Sequence, residues 1–321
     1  MNNHLPWDII PRPHADLKLL RVDAEHYHDF LWGRDSLGRP LLLLLLPGIH
    51  SGELKNRKIE LTGIKAEIRR LAENGELYFQ LTLLATEKAD IFYILCKDLI
   101  EKTRTVPDLQ AALHLIYQQL ERWRTFLSKT AGNILTKQEV QGLFAELSFL
   151  EECLDAKTMT VQTAIEGWQG PLGAPHDFIY GAEAIEITSI GSSSAEIVRI
   201  SGEKQLITHS ASLYLRIIFL TQDIHRKNGL SLNGLVQQIR EKLPESELPV
   251  FDSRLSSSGY INIQEYDWPC FSVSQTQTYG VTGDFPRLTP DTLPQGICDV
   301  SYMIRFSSIK NYLISNFKLR G

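Results

Sequence analysis

The stretch APHDFIYGAEAIEITSI, residues 174–190, decides the reading of this chain. Its two flanking acids, Asp177 and Glu186, lie either side of Tyr180-Gly181, a tight-turn pair, so the segment reads as a β-hairpin. Residues on the two arms of a hairpin can face one another, which allows both carboxylates to converge on one cation. Side chains alternate along a strand, so Glu186 and Thr188 share one face while Ile185 and Ile187 take the other. Two hard carboxylate oxygens, completed by water and phosphate, suit Mg2+. Such an ion activates water and stabilises charge on a phosphodiester.

Upstream, Thr136-Lys137-Gln138-Glu139 is a capping box that opens a helix running through VQGLFAELSFLEECL. At about 100° per residue, Val140, Leu143, Leu147, Leu150 and Leu154 form one apolar stripe with Glu146 at its edge. A carboxylate beside a core-facing stripe needs a partner, because burying it alone is costly. A metal or a basic group would supply one. Glu146 is therefore the third candidate.

Downstream, EIVRI and SLYLRIIFL read as strands and residues 230–243 as an amphipathic helix opened near Ser231. Residues 259–321 mix strand-like runs (YINI, FSVSQTQTYGV, VSYMIRF) with loops rich in Pro and Gly. Residues 16–85 read as mostly β: DLKLLRV, DFLWGRD, RPLLLLLLP, KIELTGIKAEI and ELYFQLTLLA, with Asn74-Gly75 as a hairpin signal. Residues 89–103 and 109–127 carry helical spacing and a short polar joint, as an antiparallel helix pair would. The expectation is a β-rich domain over 1–86, a helical connector over 87–132, an α/β (α+β) core over 133–245 and a β-containing extension over 246–321.

Composition narrows the class. The chain of 321 residues is 43% hydrophobic and 22% charged, with net charge −5. That balance speaks against a strongly basic coating of nucleic acid but not against a nuclease, whose carboxylate site adds negative charge. Cys96, Cys153, Cys270 and Cys298 form no CxxC pair and read as free thiols of a reducing cytoplasm. The N-terminus has no basic stretch followed by an apolar run of the secretory kind. The six-leucine run Leu41 to Leu46 is far short of the roughly 20 residues a bilayer span needs and reads as a buried strand, with no membrane partner.

Glu146, Pro175-His176-Asp177 and Glu186-Ile187-Thr188 together resemble the PD-(D/E)XK nuclease superfamily. That superfamily has a glutamate on the first core helix, an aspartate starting one strand, and glutamate-x-lysine on the next. The wider match is to a family of PD-(D/E)XK-motif proteins of unknown function found in bacterial restriction-modification and defence loci. LWGRDSLGRPLLL (31–43), GLFAELSFLEECL (142–154), EGWQGPLGAPHDF (166–178), IEITS (185–189), Gln205-Leu206, GYINIQEY (259–266), YGVTGDFPRL and GICDVSYMI carry it. The resemblance implies a restriction-endonuclease-like αβββαβ core and Mg2+- or Mn2+-dependent hydrolysis of double-stranded DNA, alongside other restriction or defence proteins. Homodimers are common among such nucleases. It also places Gln205 near the site.

Thr188 departs from the motif. A lysine ammonium polarises the attacking water and stabilises developing charge, whereas a threonine hydroxyl can only hydrogen-bond. Two outcomes stay open. Either another cation substitutes, with Lys204 the first candidate and Arg199 the second, or the site binds DNA or partners without cutting. His26 and His28 share a strand face but lack a third ligand, and read as a polar face. Gly191 to Ser194 reads as a loop. Lys55, Arg57, Lys58, Lys65, Arg69 and Arg70 form the densest cationic stretch, with Arg122, Arg124 and Lys129 a second; either is a solvated face or a phosphate contact.

Overall fold

The computed structural model describes residues 5–14, 17–49, 60–70, 75–85, 88–130, 134–191, 196–207, 211–223 and 229–319. Lys55, Arg57, Lys58, Asn74, Ser192 to Ser194 and the Lys129 side chain lie outside the described residues. The chain divides into two compact units, residues 1–134 and 135–321.

The first unit is built on a six-stranded antiparallel sheet. Its strands are β1 (Lys18–Arg21), β2 (Phe30–Arg34), β3 (Pro40–Leu46), β4 (Glu60–Leu61), β5 (Ile64–Arg70) and β6 (Leu77–Leu83), in the order β1-β2-β3-β6-β5-β4. The six-leucine run forms β3 near its middle, where both faces are covered, so strict alternation is not needed. Gly63, with φ of +78°, supplies the left-handed turn that folds β4 back onto β5. Helices α1 (Ala89–Thr103) and α2 (Leu109–Thr130), expected as a connector, are part of this unit.

His26 and His28 are a correction. They sit in the loop before β2, not on a strand, and both are buried. His26 Nδ1 accepts from the His28 amide at 3.0 Å, so its Nε2 carries the proton and donates to the Ile100 carbonyl at 3.0 Å. His28 Nε2 lies 2.7 Å from the Val106 carbonyl. The pair ties the loop to the end of α1 and to the turn that follows it.

The second unit begins with α3 (Lys137–Ala156), whose Thr136–Glu139 capping box forms as the sequence predicts. Then come α4 (Val161–Gly167), β7 (Phe178–Tyr180), β8 (Glu183–Ile190), β9 (Ile197–Ile200), β10 (Ser212–Gln222), β11 (Leu230–Ser231), α5 (Leu232–Lys242, capped by Ser231) and α6 (Leu248–Ser257). The last elements are β12 (Cys270–Gly280), β13 (Tyr302–Arg305) and the short α7 (Phe306–Ile309). A mixed sheet of order β11-β12-β10-β8-β7 forms the centre, with β10 parallel to β8 and the other pairs antiparallel.

Chain order α3-β7-β8-β10-α5-β12 is an αβββαβ core of α+β class. The core sheet draws β12 from beyond residue 245, and β9 with β13 forms a separate two-stranded ribbon. YINI (260–263) is not a strand. Tyr260, Ile261 and Ile263 are buried as an irregular cover and join no ladder. Apolar alternation reported their burial but not their pairing.

Helix α3 packs on one face of β8, where Gln141 Nε2 donates to Ser189 Oγ at 3.2 Å. The opposite face carries a core of Leu213, Leu215, Ile217 and Phe219 from β10, covered by Val198 and Ile200 of β9. Helix α4 seats against β7 through Gly167: a Cβ there would lie 2.0 Å from the Tyr180 ring, which is buried and donates to the Ala164 carbonyl at 3.1 Å. Gly167→Ala is therefore expected to destabilise the unit by at least about 1–3 kcal/mol through overpacking. At this size that lowers a melting midpoint by about 2–4 °C per kcal/mol; thermal unfolding followed by circular dichroism checks it.

Candidate active site

Gly181, with φ of +57°, turns β7 into β8, and the register pairs Phe178 with Ile185 and Tyr180 with Glu183. One step further, Asp177 stands opposite Glu186, where the ladder gives way to side-chain bonding. The Asp177 carboxylate accepts from the Ile187 amide at 2.8 Å. Its backbone carbonyl accepts from the Gln169 and Gly170 amides at 2.8 and 2.9 Å, in a 3-10 turn spanning Gly170–Leu172. Both ends of Asp177 are thus fixed by backbone donors.

Glu146 approaches from α3. Its Oε2 accepts from the indole of the fully buried Trp168 at 2.8 Å. A Cβ built on Gly170 would lie 2.9 Å from Asp177 Oδ1 and 3.6 Å from Glu146 Oε2. The two carboxyls therefore face one small space that only a glycine leaves open. Glu186 is buried at 4% exposure, and its Oε2 accepts no hydrogen bond from the described residues. The buried His176 places Nδ1 3.8 Å from that oxygen.

Electrostatics follow from this crowding. Desolvation, then the neighbouring Asp177 charge, pushes Glu146 up to about 8 against the indole bond. Desolvation pushes Asp177 up to about 7, partly offset by the Ile187 amide. Glu186 is driven well above the usual carboxylate range by desolvation, with repulsion from Asp177 and Glu146 adding to it. The charges that act on these groups are one another's; no lysine or arginine among the described residues contributes.

Asp177, Glu186 and Glu146 thus come together. Lys204 does not join them: it is exposed, and it acts on its neighbour Glu203. Gln205 turns its Oε1 back to accept from the Ser201 and Gly202 amides at 2.7 and 3.2 Å, bracing a turn. Arg199 is exposed on β9, and its carbonyl lies 3.5 Å from Thr188 Oγ1. Trp168, Gly170 and His176 were not assigned roles from sequence. Only the placement of His176 beside Asp177 gave a signal; the other two depend on the turn that carries Asp177.

A family model described as "Putative PD-(D/E)XK family member" (DUF4420) matches residues 4–307. The chain belongs to that family. No curated protein and no solved structure matches it. In this PD-(D/E)XK family member no helix among the described residues is long and apolar enough to cross a membrane.

The donor set fits a divalent cation. Among the described residues no three His, Cys, Asp or Glu side chains close into a ready cage, but Mg2+ uses only one or two carboxylates and keeps several waters. A buried carboxylate oxygen without a donor and an open cradle at Gly170 supply that opportunity.

The raised carboxyls also set a pH dependence without metal. Unfolded, they ionise near 3.8 and 4.5; folded, near 7 for Asp177 and 8 for Glu146. Their contribution to stability is present below the unfolded values and is lost as pH rises through the folded ones, by about 1.4 kcal/mol per pH unit for each proton involved. The melting midpoint of the metal-free protein is therefore expected to fall between about pH 5 and pH 8.5. Asp177→Asn should flatten that fall, and Mn2+ should raise the midpoint most at the alkaline end. Differential scanning fluorimetry across pH checks all three.

Proposed function

We propose that the second unit is a Mg2+- or Mn2+-dependent DNA endonuclease, acting with partner proteins of a cytoplasmic restriction or phage-defence system. The observation that carries the chemistry is the buried trio Glu146, Asp177 and Glu186, on which no lysine or arginine among the described residues acts. Family membership supports the substrate class. Asp177 and Glu186 would hold the cation, and Glu146 would support the site from α3.

When bound, the cation would activate water and stabilise charge on the phosphodiester. The chain's own groups orient this site. The Ile187 amide and the Gln169-Gly170 turn fix Asp177, Trp168 fixes Glu146, and His176 stands against Glu186. Thr188 lies two residues beyond Glu186 on the same strand, where the motif has lysine. Its hydroxyl can orient a water by hydrogen bonding but carries no charge. Lys204 remains a candidate only through a rearrangement that carries it from its exposed turn.

Thr188 favours a second reading, a degenerate site in a subunit that binds DNA or partners without cutting. Plasmid cleavage with Mg2+ or Mn2+ separates the two. A bound cation contributes several kcal/mol, so Asp177→Ala is expected to lower cleavage by about a thousandfold. A wild type that is inert with either metal, alone or with its partner proteins, would sink the nuclease reading. An inert wild type whose Thr188→Lys variant cuts would establish the degenerate one; a positive charge placed there should contribute about a hundredfold.

A further inference from the structure

We infer that the β9–β13 ribbon is the element that engages duplex DNA beside the carboxylates, an inference that rests on the nuclease reading. In this antiparallel pair Ile197 faces Arg305 and Arg199 faces Met303. Their partners in the alternation, Val198 and Ile304, are buried in the core under the sheet. The outer face therefore presents two arginines and two apolar side chains in a chequered arrangement. All four are exposed, Ile197 by 44% and Met303 by 64%.

Nothing among the described residues explains that face. A purely structural ribbon would place polar residues outward, and exposing Met303 and Ile197 diagonally across one face costs solubility without a partner. Neither arginine forms an ion pair with a described residue, so both charges are available for phosphate. The four paired positions hold no acid.

Placement points the same way. The Arg199 carbonyl lies 3.5 Å from Thr188 Oγ1. Thr188 and Glu186 share a strand face, so the ribbon begins about one residue pair, roughly 7 Å, beyond the carboxylate. A duplex whose phosphodiester reached Asp177 and Glu186 would run onto the ribbon. A two-stranded ribbon fits the major groove, about 12 Å wide. There the arginines would meet phosphates, and Met303 and Ile197 the apolar edges of the bases. The two arginines also offset a unit that is otherwise rich in acid.

Full-length Arg199→Ala/Arg305→Ala and Met303→Ala variants test this by fluorescence anisotropy on a labelled duplex, with Ca2+ replacing Mg2+ and salt varied. All three positions are exposed, so thermal midpoints should match the wild type. The double variant is expected to bind about tenfold more weakly and to lose about 2 from the log–log salt slope. Met303→Ala should bind more weakly with the slope unchanged. Wild-type affinity in the double variant, while cleavage still requires Asp177, would overturn the ribbon assignment alone. Lost affinity in a protein whose Asp177→Asn form cuts normally would overturn the assignment of the chemistry alone. Unchanged duplex binding with altered sedimentation would assign the face to a protein partner, and overturn the proposal too.

Discussion

Three carboxyl groups held together away from water, with no lysine or arginine acting on them among the described residues, set the terms for the second unit. Each hydrogen bond they receive, from Trp168, the Ile187 amide and the Asp177 amide, offsets only part of the desolvation. Elsewhere this chain gives buried charged side chains several polar partners, although Arg216 Nε itself has no hydrogen bond among the described residues. Arg216 on β10 is buried, yet it donates to Glu152, Thr276 and Thr278. Asp98 on α1 receives both Gln119 and Trp123 on one oxygen. Those are structural solutions, in which partners come with the fold. At Glu186 the fold leaves Oε2 without a donor among the described residues, beside two further carboxyl groups.

The scaffold around the trio is correspondingly stiff. Asp177 is held through its carbonyl by the Gln169-Gly170 turn and through its carboxylate by β8, so it cannot retreat from Glu186. Trp168 joins this turn to α3: it bridges to Phe178 and donates to Glu146. The glycine at 170 keeps the space between the two carboxyls open. Repulsion between the ionised carboxyls is thus built in rather than relaxed, which is why all three are pushed toward the protonated form.

Thr188 acquires a meaning from this arrangement that the motif alone does not give it. The strand face on which it lies leads from Glu186 to β9, where the Thr188 hydroxyl lies 3.5 Å from the Arg199 carbonyl. Lys204, the substitute suggested by sequence order, sits instead on an exposed turn beside Glu203.

Local chemistry made much of this legible. The Thr136–Glu139 box, the glycine turn between β7 and β8, the buried leucine strand and the hairpin that pairs Phe178 with Ile185 are all short-range consequences of residue type and spacing, and each is present in the structure. What spacing could not supply was everything set by long-range packing. Gln205 near Asp177 in family terms spends its oxygen on a turn. YINI is buried without becoming a strand. His26 and His28 close on α1 rather than share a strand face.

The sequence by itself determined that two carboxylates would oppose each other across a hairpin, because hairpin register is local. Only the tertiary structure decided that a third would join them, that no lysine or arginine among the described residues would, and that Trp168, Gly170 and His176 would surround them. Those depend on which helix and which turn pack over β8, and burial, unlike alternation, is a property of the whole unit.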